Sequence, residues 1–269
     1  MKIKIIATTL LLPGLFFTAC QKDSSANPEL TTTSEDVATF QTLVQETDEE
    51  IDYQLETRVG DPENDCPTVT VSPDDGSYPR TVTIDYGQEG CEGPHGHIRK
   101  GVIEVFLTDS MSMVGAERTV SFLDFSIDDV QILGSKVLVN MGPNADDQPT
   151  AGRTVELQFL FPNDQEASWS ASQTITLIEG SSTTAFLDNV WQIEGSGEGI
   201  NRNGVPFSSQ IVEPLIKPRS CPWIVSGIRT VTVNDLQRSL DFGDGECDRK
   251  ATLTRADGST LEILIRRWW

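Results

Sequence analysis

Two hydrophobic rhythms divide the chain. Over residues 34–58, Val37, Phe40, Val44, Ile51 and Leu55 recur at helical spacing with acidic residues between them. That spacing predicts one amphipathic helix whose apolar stripe packs on the remainder of the protein. Ser34 or Thr33 stands where an N-cap is expected, and Glu35 and Asp36 follow in the first turn, where the helix dipole favours acids. From residue 59 onward the period changes to two. Thr68-Val69-Thr70-Val71, Thr81-Val82-Thr83-Ile84-Asp85-Tyr86 and Val155-Glu156-Leu157-Gln158-Phe159 read as strands. Further runs of the same kind lie at 101–108, 137–139, 173–178, 229–233, 251–254 and 260–265. Gly, Pro, Asn and Asp clusters separate them, and Pro162-Asn163-Asp164 and Ala256-Asp257-Gly258-Ser259 read as hairpin turns. The expected fold is mainly β: an antiparallel multi-strand meander over 59–269, as a curved sheet or a sandwich, with one N-terminal amphipathic helix.

Two internal echoes refine this. Cys66-Pro67-Thr68-Val69 and Cys221-Pro222-Trp223-Ile224 each open a unit, over about 66–100 and 221–250. The units close on Ile84-Asp85-Tyr86-Gly87 before Cys91 and on Leu240-Asp241-Phe242-Gly243 before Cys247, and an Arg-Lys pair follows each. One supersecondary unit used twice is the simplest reading. Four cysteines allow three pairings, and the echo selects the local one, Cys66 with Cys91 and Cys221 with Cys247. Each bridge is expected to contribute about 3 kcal/mol by constraining the unfolded chain. The second echo joins Phe122-Leu123-Asp124 to Gly134-Ser135 and Phe186-Leu187-Asp188 to Gly195-Ser196. Both stretches predict strand, bend and strand, ending in a Gly-Ser turn.

The N-terminus carries an address. A basic start, Met1-Lys2-Ile3-Lys4, precedes an apolar run over 5–17 that is too short for a comfortable membrane span. This is the pattern of a secretory signal, here over 1–19. Phe17-Thr18-Ala19-Cys20 resembles a lipobox, which implies lipid on Cys20 and cleavage before it. Several acyl chains on one residue hold a protein to a bilayer where a single chain would not. Residues 20–33 are polar and read as a flexible tether. The lipobox, the two Cys-Pro units and the loop Asn201-Arg202-Asn203-Gly204 together resemble a family of uncharacterised Bacteroidota-type envelope lipoproteins. The resemblance implies an outer-membrane address, on the periplasmic face or the cell surface, and a β fold. It implies no activity.

Charge narrows the partners. The chain has 41 acidic and 20 basic residues, a net charge of −21, which excludes nucleic acid as a ligand. Candidate chemistry is thin. Both histidines lie in Gly93-Pro94-His95-Gly96-His97, near Glu89 and Glu92. Zinc wants three or four ligands, so a glycine-proline turn is the plainer reading. The carboxylates of 241–248 alternate with glycines as in a calcium loop, but without the closing bidentate Glu. A Ser-His-Asp triad would have to use His95 or His97, and no Gly-x-Ser-x-Gly elbow is present. The expectation is therefore no enzyme, no metal and no cofactor. What remains is a lipid-anchored envelope protein with a binding or structural role, its partner an envelope protein or a glycan. A carbohydrate-binding or carbohydrate-active surface lipoprotein is the second reading, resting on Trp169, Trp191, Trp223, Trp268 and Trp269 as a stacking platform.

Overall fold

The computed structural model describes residues 28–57, 66–93, 96–183, 185–255 and 257–265. Cys20, the signal segment 1–19, His95, Trp268 and Trp269 lie outside the described residues. One helix, α1 (Pro28–Thr57), is followed by fourteen strands. They are β1 (Thr68–Ser72), β2 (Arg80–Asp85), β3 (Cys91–Glu92), β4 (Ile98–Leu107), β5 (Glu117–Ile127), β6 (Val130–Pro143) and β7 (Pro149–Leu160). The second half comprises β8 (Glu166–Glu179), β9 (Val190–Ile200), β10 (Pro206–Pro218), β11 (Ser226–Val233), β12 (Leu236–Asp244), β13 (Lys250–Thr254) and β14 (Thr260–Leu264). The strands pair antiparallel in chain order in one open sheet, with the short β3 pairing only β4. Of the two expected forms, the curved sheet is the one adopted.

The sheet curls around α1. Side chains on every face of the helix are buried, from Leu30, Val37 and Phe40 to the polar Thr39, Gln41, Thr42 and Glu50. The expected two-faced helix is thus corrected: α1 has no solvent face along most of its length. Two apolar cores hold it. The larger joins Leu30, Val37, Phe40, Leu43, Val44 and Ile51 to inward side chains of β2, β4–β8 and β11. In it the Phe40 and Phe159 rings stack with centroids 4.3 Å apart. The smaller gathers Ala38 with Ile193, Leu215, Leu240, Phe242 and Ile263 from the C-terminal strands.

The helix begins six residues before residue 34, so residues 28–33, expected within the tether, are helical instead. Proline suits the first helical position, where its missing N–H is not needed. Thr33 and Ser34 are therefore not caps. They lie inside the helix and donate to the carbonyls of Glu29 and Leu30, both at 2.6 Å. Thr39 and Thr42 do the same to Glu35 and Ala38, which is how hydroxyls are buried without an outside partner.

The Gly-Ser pairs are also corrected. Gly134 lies inside β6 and Gly195 inside β9, both at positive φ. A Cβ would come 2.1 Å from the Glu156 carbonyl oxygen at the first and 2.2 Å from that of Ser172 at the second. Glycine there lets adjoining strands approach and bend around the helix. β10 was not expected, because Pro206, Pro214 and Pro218 break its pattern. Pro214 falls within the register shifts to both neighbours, where the ladder needs no N–H. The disulfides follow the echo: Cys66–Cys91 and Cys221–Cys247, each with Cα atoms 5.8 Å apart.

Candidate functional site

Alternation along the strands puts cations on the inner face. Arg118 is in phase with Val120 and Phe122, Arg153 with Val155, Leu157 and Phe159, and Arg229 with Val231 and Val233. Arg99, Lys136 and Lys217 occupy inward positions of β4, β6 and β10, and all six are buried. With Arg202 and Arg219 from loops, eight of the chain's 20 basic residues bond to the helix. Burying so many charges is tolerable only where each is paired or hydrogen-bonded. The acidic helix supplies the partners.

Asp48 is the hub. Lys136 and Arg153 reach it at 2.8 Å and Arg118 at 3.2 Å. Burial alone would raise its pKa, but Lys136, Arg153 and Arg118 outweigh burial and hold the carboxyl well below the ordinary range. Arg118 also pairs with Asp52 at 2.5 Å, and Arg219 approaches the other Asp52 oxygen at 3.6 Å. Glu49 takes Lys217, and Glu46 takes Arg99 at 2.6 Å. Glu49 is lifted to about 7 by burial, despite Lys217. Arg229 reaches only an amide, donating to the Gln41 side-chain oxygen at 2.6 Å, with its charge over the Trp169 ring. Its Nε and one terminal nitrogen lack hydrogen-bond partners, and burial together with Arg153 lowers its pKa to about 9.

The two ends of the helix differ. At the N-terminal end the β9–β10 loop closes over it. Asn201 donates to Thr33 Oγ1 at 2.8 Å, the Arg202 backbone N–H donates to Asp36 at 2.9 Å, and the Arg202 side chain reaches Glu35 at 2.6 Å. Asn203 adds contacts to Glu29. This is the Asn-Arg-Asn-Gly loop of the sequence, and its work is to clamp the first turns.

At the C-terminal end the sheet gapes. The β4–β5, β8–β9 and β10–β11 connections and the facing ends of β6 and β7 ring a mouth of about 320 Å³. Its walls include Trp191, Leu138, Leu177, Met111, Asn140 and Asn189, with Asp52, Arg118 and Arg219 at the base. A chamber of about 70 Å³ lies deeper, sharing Asp52, Arg118, Leu138, Ala151 and Trp191 with the mouth and bounded further by Asp48, Glu49 and Arg153. The loops are braced together. The Arg219 N–H donates to the Asn189 carbonyl at 2.8 Å, Asn140 donates to the Met111 carbonyl at 2.8 Å, and the Cys221–Cys247 bridge pins the loop that carries Arg219. Met113 and Val114, in the β4–β5 connection, are exposed. A largely apolar cleft with one aromatic wall and a few convergent polar groups is the usual form of a ligand site.

A second concavity of about 480 Å³ lies on the outer face of the sheet, lined by Thr154, Ser170, Ser196, Ser208, Gln210 and Thr230 among others. Its lining carries no aromatic ring. The mouth is the better candidate.

The sites read from sequence fall mostly elsewhere. His97 Nδ1 meets Asp128 at 2.5 Å, beside the β5–β6 turn. Asp241 and Asp248 accept from the backbone N–H groups of Gly243 and Lys250, as turn carboxylates do. Among the described residues no three of His, Cys, Asp and Glu converge as a metal site. The tryptophans form no common platform there: Trp169 is buried in the core, Trp223 packs on the smaller core, and Trp191 alone lines the mouth. The sequence signal of this ionic girdle is a cation in the apolar phase of strand after strand.

Among the described residues the fold thus defines a class: an antiparallel sheet wound around an N-terminal helix, clamped at one end and open at the other. Comparison of the chain with family models, curated proteins and solved structures finds no match.

Proposed function

We propose that this chain is a lipid-anchored envelope protein with a binding role, and that its ligand site is the mouth at the C-terminal end of α1. The observation that carries the reading is the pairing of Trp191 with planar polar groups, Asn140, Asn189, Asp52 and Arg219, around one open cleft. An aromatic face beside amide and carboxyl groups suits a sugar ring, whose C–H face stacks while its hydroxyls take hydrogen bonds. The carbohydrate-binding reading is therefore favoured over a purely structural one.

The anchor fits this arrangement. Seven residues separate Cys20 from Pro28, a reach of at most about 29 Å. A helix of 30 residues is about 45 Å long, so lipid on Cys20 would hold the clamped end near the membrane and turn the mouth away from it. Among the described residues no helix is long and apolar enough to cross a membrane. Two measurements test the proposal. Cys20→Ser should abolish lipid labelling and release the chain to the soluble fraction; retention at high salt contradicts the anchor. The detergent-solubilised mature protein should give saturable signals on a glycan array, and Trp191→Ala should lose them at least tenfold while stability changes by less than about 1 kcal/mol. A glycan signal unaffected by that substitution would remove the mouth as the site.

A further inference from the structure

The charges of the inner chamber answer one another. Asp48 takes Arg118 at 3.2 Å and Arg153 at 2.8 Å, Asp52 takes Arg118 at 2.5 Å, and Glu49 takes Lys217. Buried acids and cations paired in this way call for no further ion of either sign. The rest of the chamber wall is apolar, formed by Leu138, Ala151, Ile175 and Trp191. Its 70 Å³ exceeds the roughly 10–15 Å³ that one water requires, which leaves room for a group of a few heavy atoms.

One polar group on this wall is left over. The Arg118 side chain is almost fully buried, at 5% exposure, and its Nε has no hydrogen-bond partner among the described residues. A buried donor is costly until an acceptor reaches it. Because the guanidinium is already matched by Asp48 and Asp52, that acceptor need carry no charge. The chamber thus asks for a small neutral group with one carbonyl-like oxygen and one apolar end.

We infer that the mouth takes an N-acetylated amino sugar, its ring against Trp191 and its acetamido group in the inner chamber. The inference rests on the reading of the mouth as a sugar site and narrows it to one ligand class. The acetamido oxygen accepts from Arg118 Nε, and the N–H donates to Asp52, which borders both the mouth and the chamber. The methyl lies among Leu138, Ala151 and Ile175, where leaving water is favourable. A sugar with a hydroxyl in that place can also stack on Trp191 but brings no methyl to the apolar wall.

The test uses matched neutral ligands on the detergent-solubilised mature protein. Tetra-N-acetylchitotetraose is titrated calorimetrically beside cellotetraose, which carries hydroxyls in place of the acetamido groups, and N-acetylgalactosamine beside galactose. At least one acetylated ligand is expected to bind tenfold or more tightly than its hydroxyl partner. Ala151→Leu, which fills the chamber and removes no charged group, is expected to shrink that ratio to threefold or less. The variant counts only if its near-ultraviolet circular dichroism is native; the ligand comparison on the unaltered protein is decisive without it. An undiminished ratio in the folded variant overturns the inference by removing the chamber as the acetamido pocket. Equal binding of acetylated and hydroxyl forms overturns it too and leaves the sugar site standing. Binding of neither form overturns both.

Discussion

The two halves of α1 are buried by different physics. Residues 28–44 are held by apolar packing, by hydroxyls turned back onto the helix's own carbonyls, and by one clamping loop. Here Phe40 lies between Phe159 and Trp169, with ring centroids 4.3 and 6.3 Å away. Residues 45–56 keep Ile51 in the larger core but are otherwise held by ion pairs from the surrounding strands and loops, and they border the mouth and its inner chamber. Packing can fill space without remainder. Charges need partners and geometry but not volume, so the ionic half can hold its place while leaving room for a ligand.

Substitutions can separate the two modes. Asp48→Asn carries the largest expected effect, because it removes the anion shared by three buried cations. Breaking such a group from one side costs about 3 to 5 kcal/mol, measured by urea unfolding. A loss below about 1 kcal/mol would show that the ionic half is not held by its charges. Phe40→Ala tests the other half, where removing a buried ring costs about 3 to 5 kcal/mol. The expected difference between the variants lies in binding: Phe40→Ala should keep the mouth's affinity wherever it stays folded, and Asp48→Asn should alter it.

The pH dependence gives a smaller signature. Burial raises Asp36 to about 7, against Arg202, and raises Glu49 to about 7, against Lys217. The folded chain then keeps protons that the unfolded chain has already released, so stability falls as pH rises from about 4 toward 7. Asp36→Asn should remove part of that slope, a gain on the order of 1 to 3 kcal/mol at pH 8 relative to the parent. Asp48 acts oppositely: its depressed pKa gives stability that is lost only as pH falls below its ordinary value of 3.8. A parent chain whose stability rises steadily from pH 4 to 8 would contradict the raised values of Asp36 and Glu49.

Much of the architecture was legible in the chain. The change of period after the helix marks the sheet, and the echoed Cys-Pro units mark the bridges, because local closure joins cysteines in like settings. The ionic interior was readable too, though only by asking why Arg118, Arg153 and Arg229 share a phase with valines and phenylalanines. An arginine in the apolar phase of a strand requires an acid inside the sheet, and the acidic helix at 34–58 is the candidate. Reading that helix as amphipathic set its acids toward solvent and hid the match. The mouth was not legible, since Trp191, Asn140, Asn189 and Arg219 belong to different strands and connections that only the curvature of the sheet brings together. That curvature depends on Gly134 and Gly195, which sequence alone presents as turn residues.

Hydrogen exchange resolved along α1, with and without a glycan ligand bound, tests the division of labour most directly. Amides of residues 37–44 should exchange only through global unfolding, and ligand should slow them only by the common factor by which it stabilises the whole fold, because packing already excludes water there. Amides of residues 48–56 should exchange faster in the free protein and, when the mouth is filled, gain at least tenfold more protection than residues 37–44 gain. A gain in the first half equal to or larger than that in the second, or protection unchanged along the whole helix on saturation with ligand, would contradict the account.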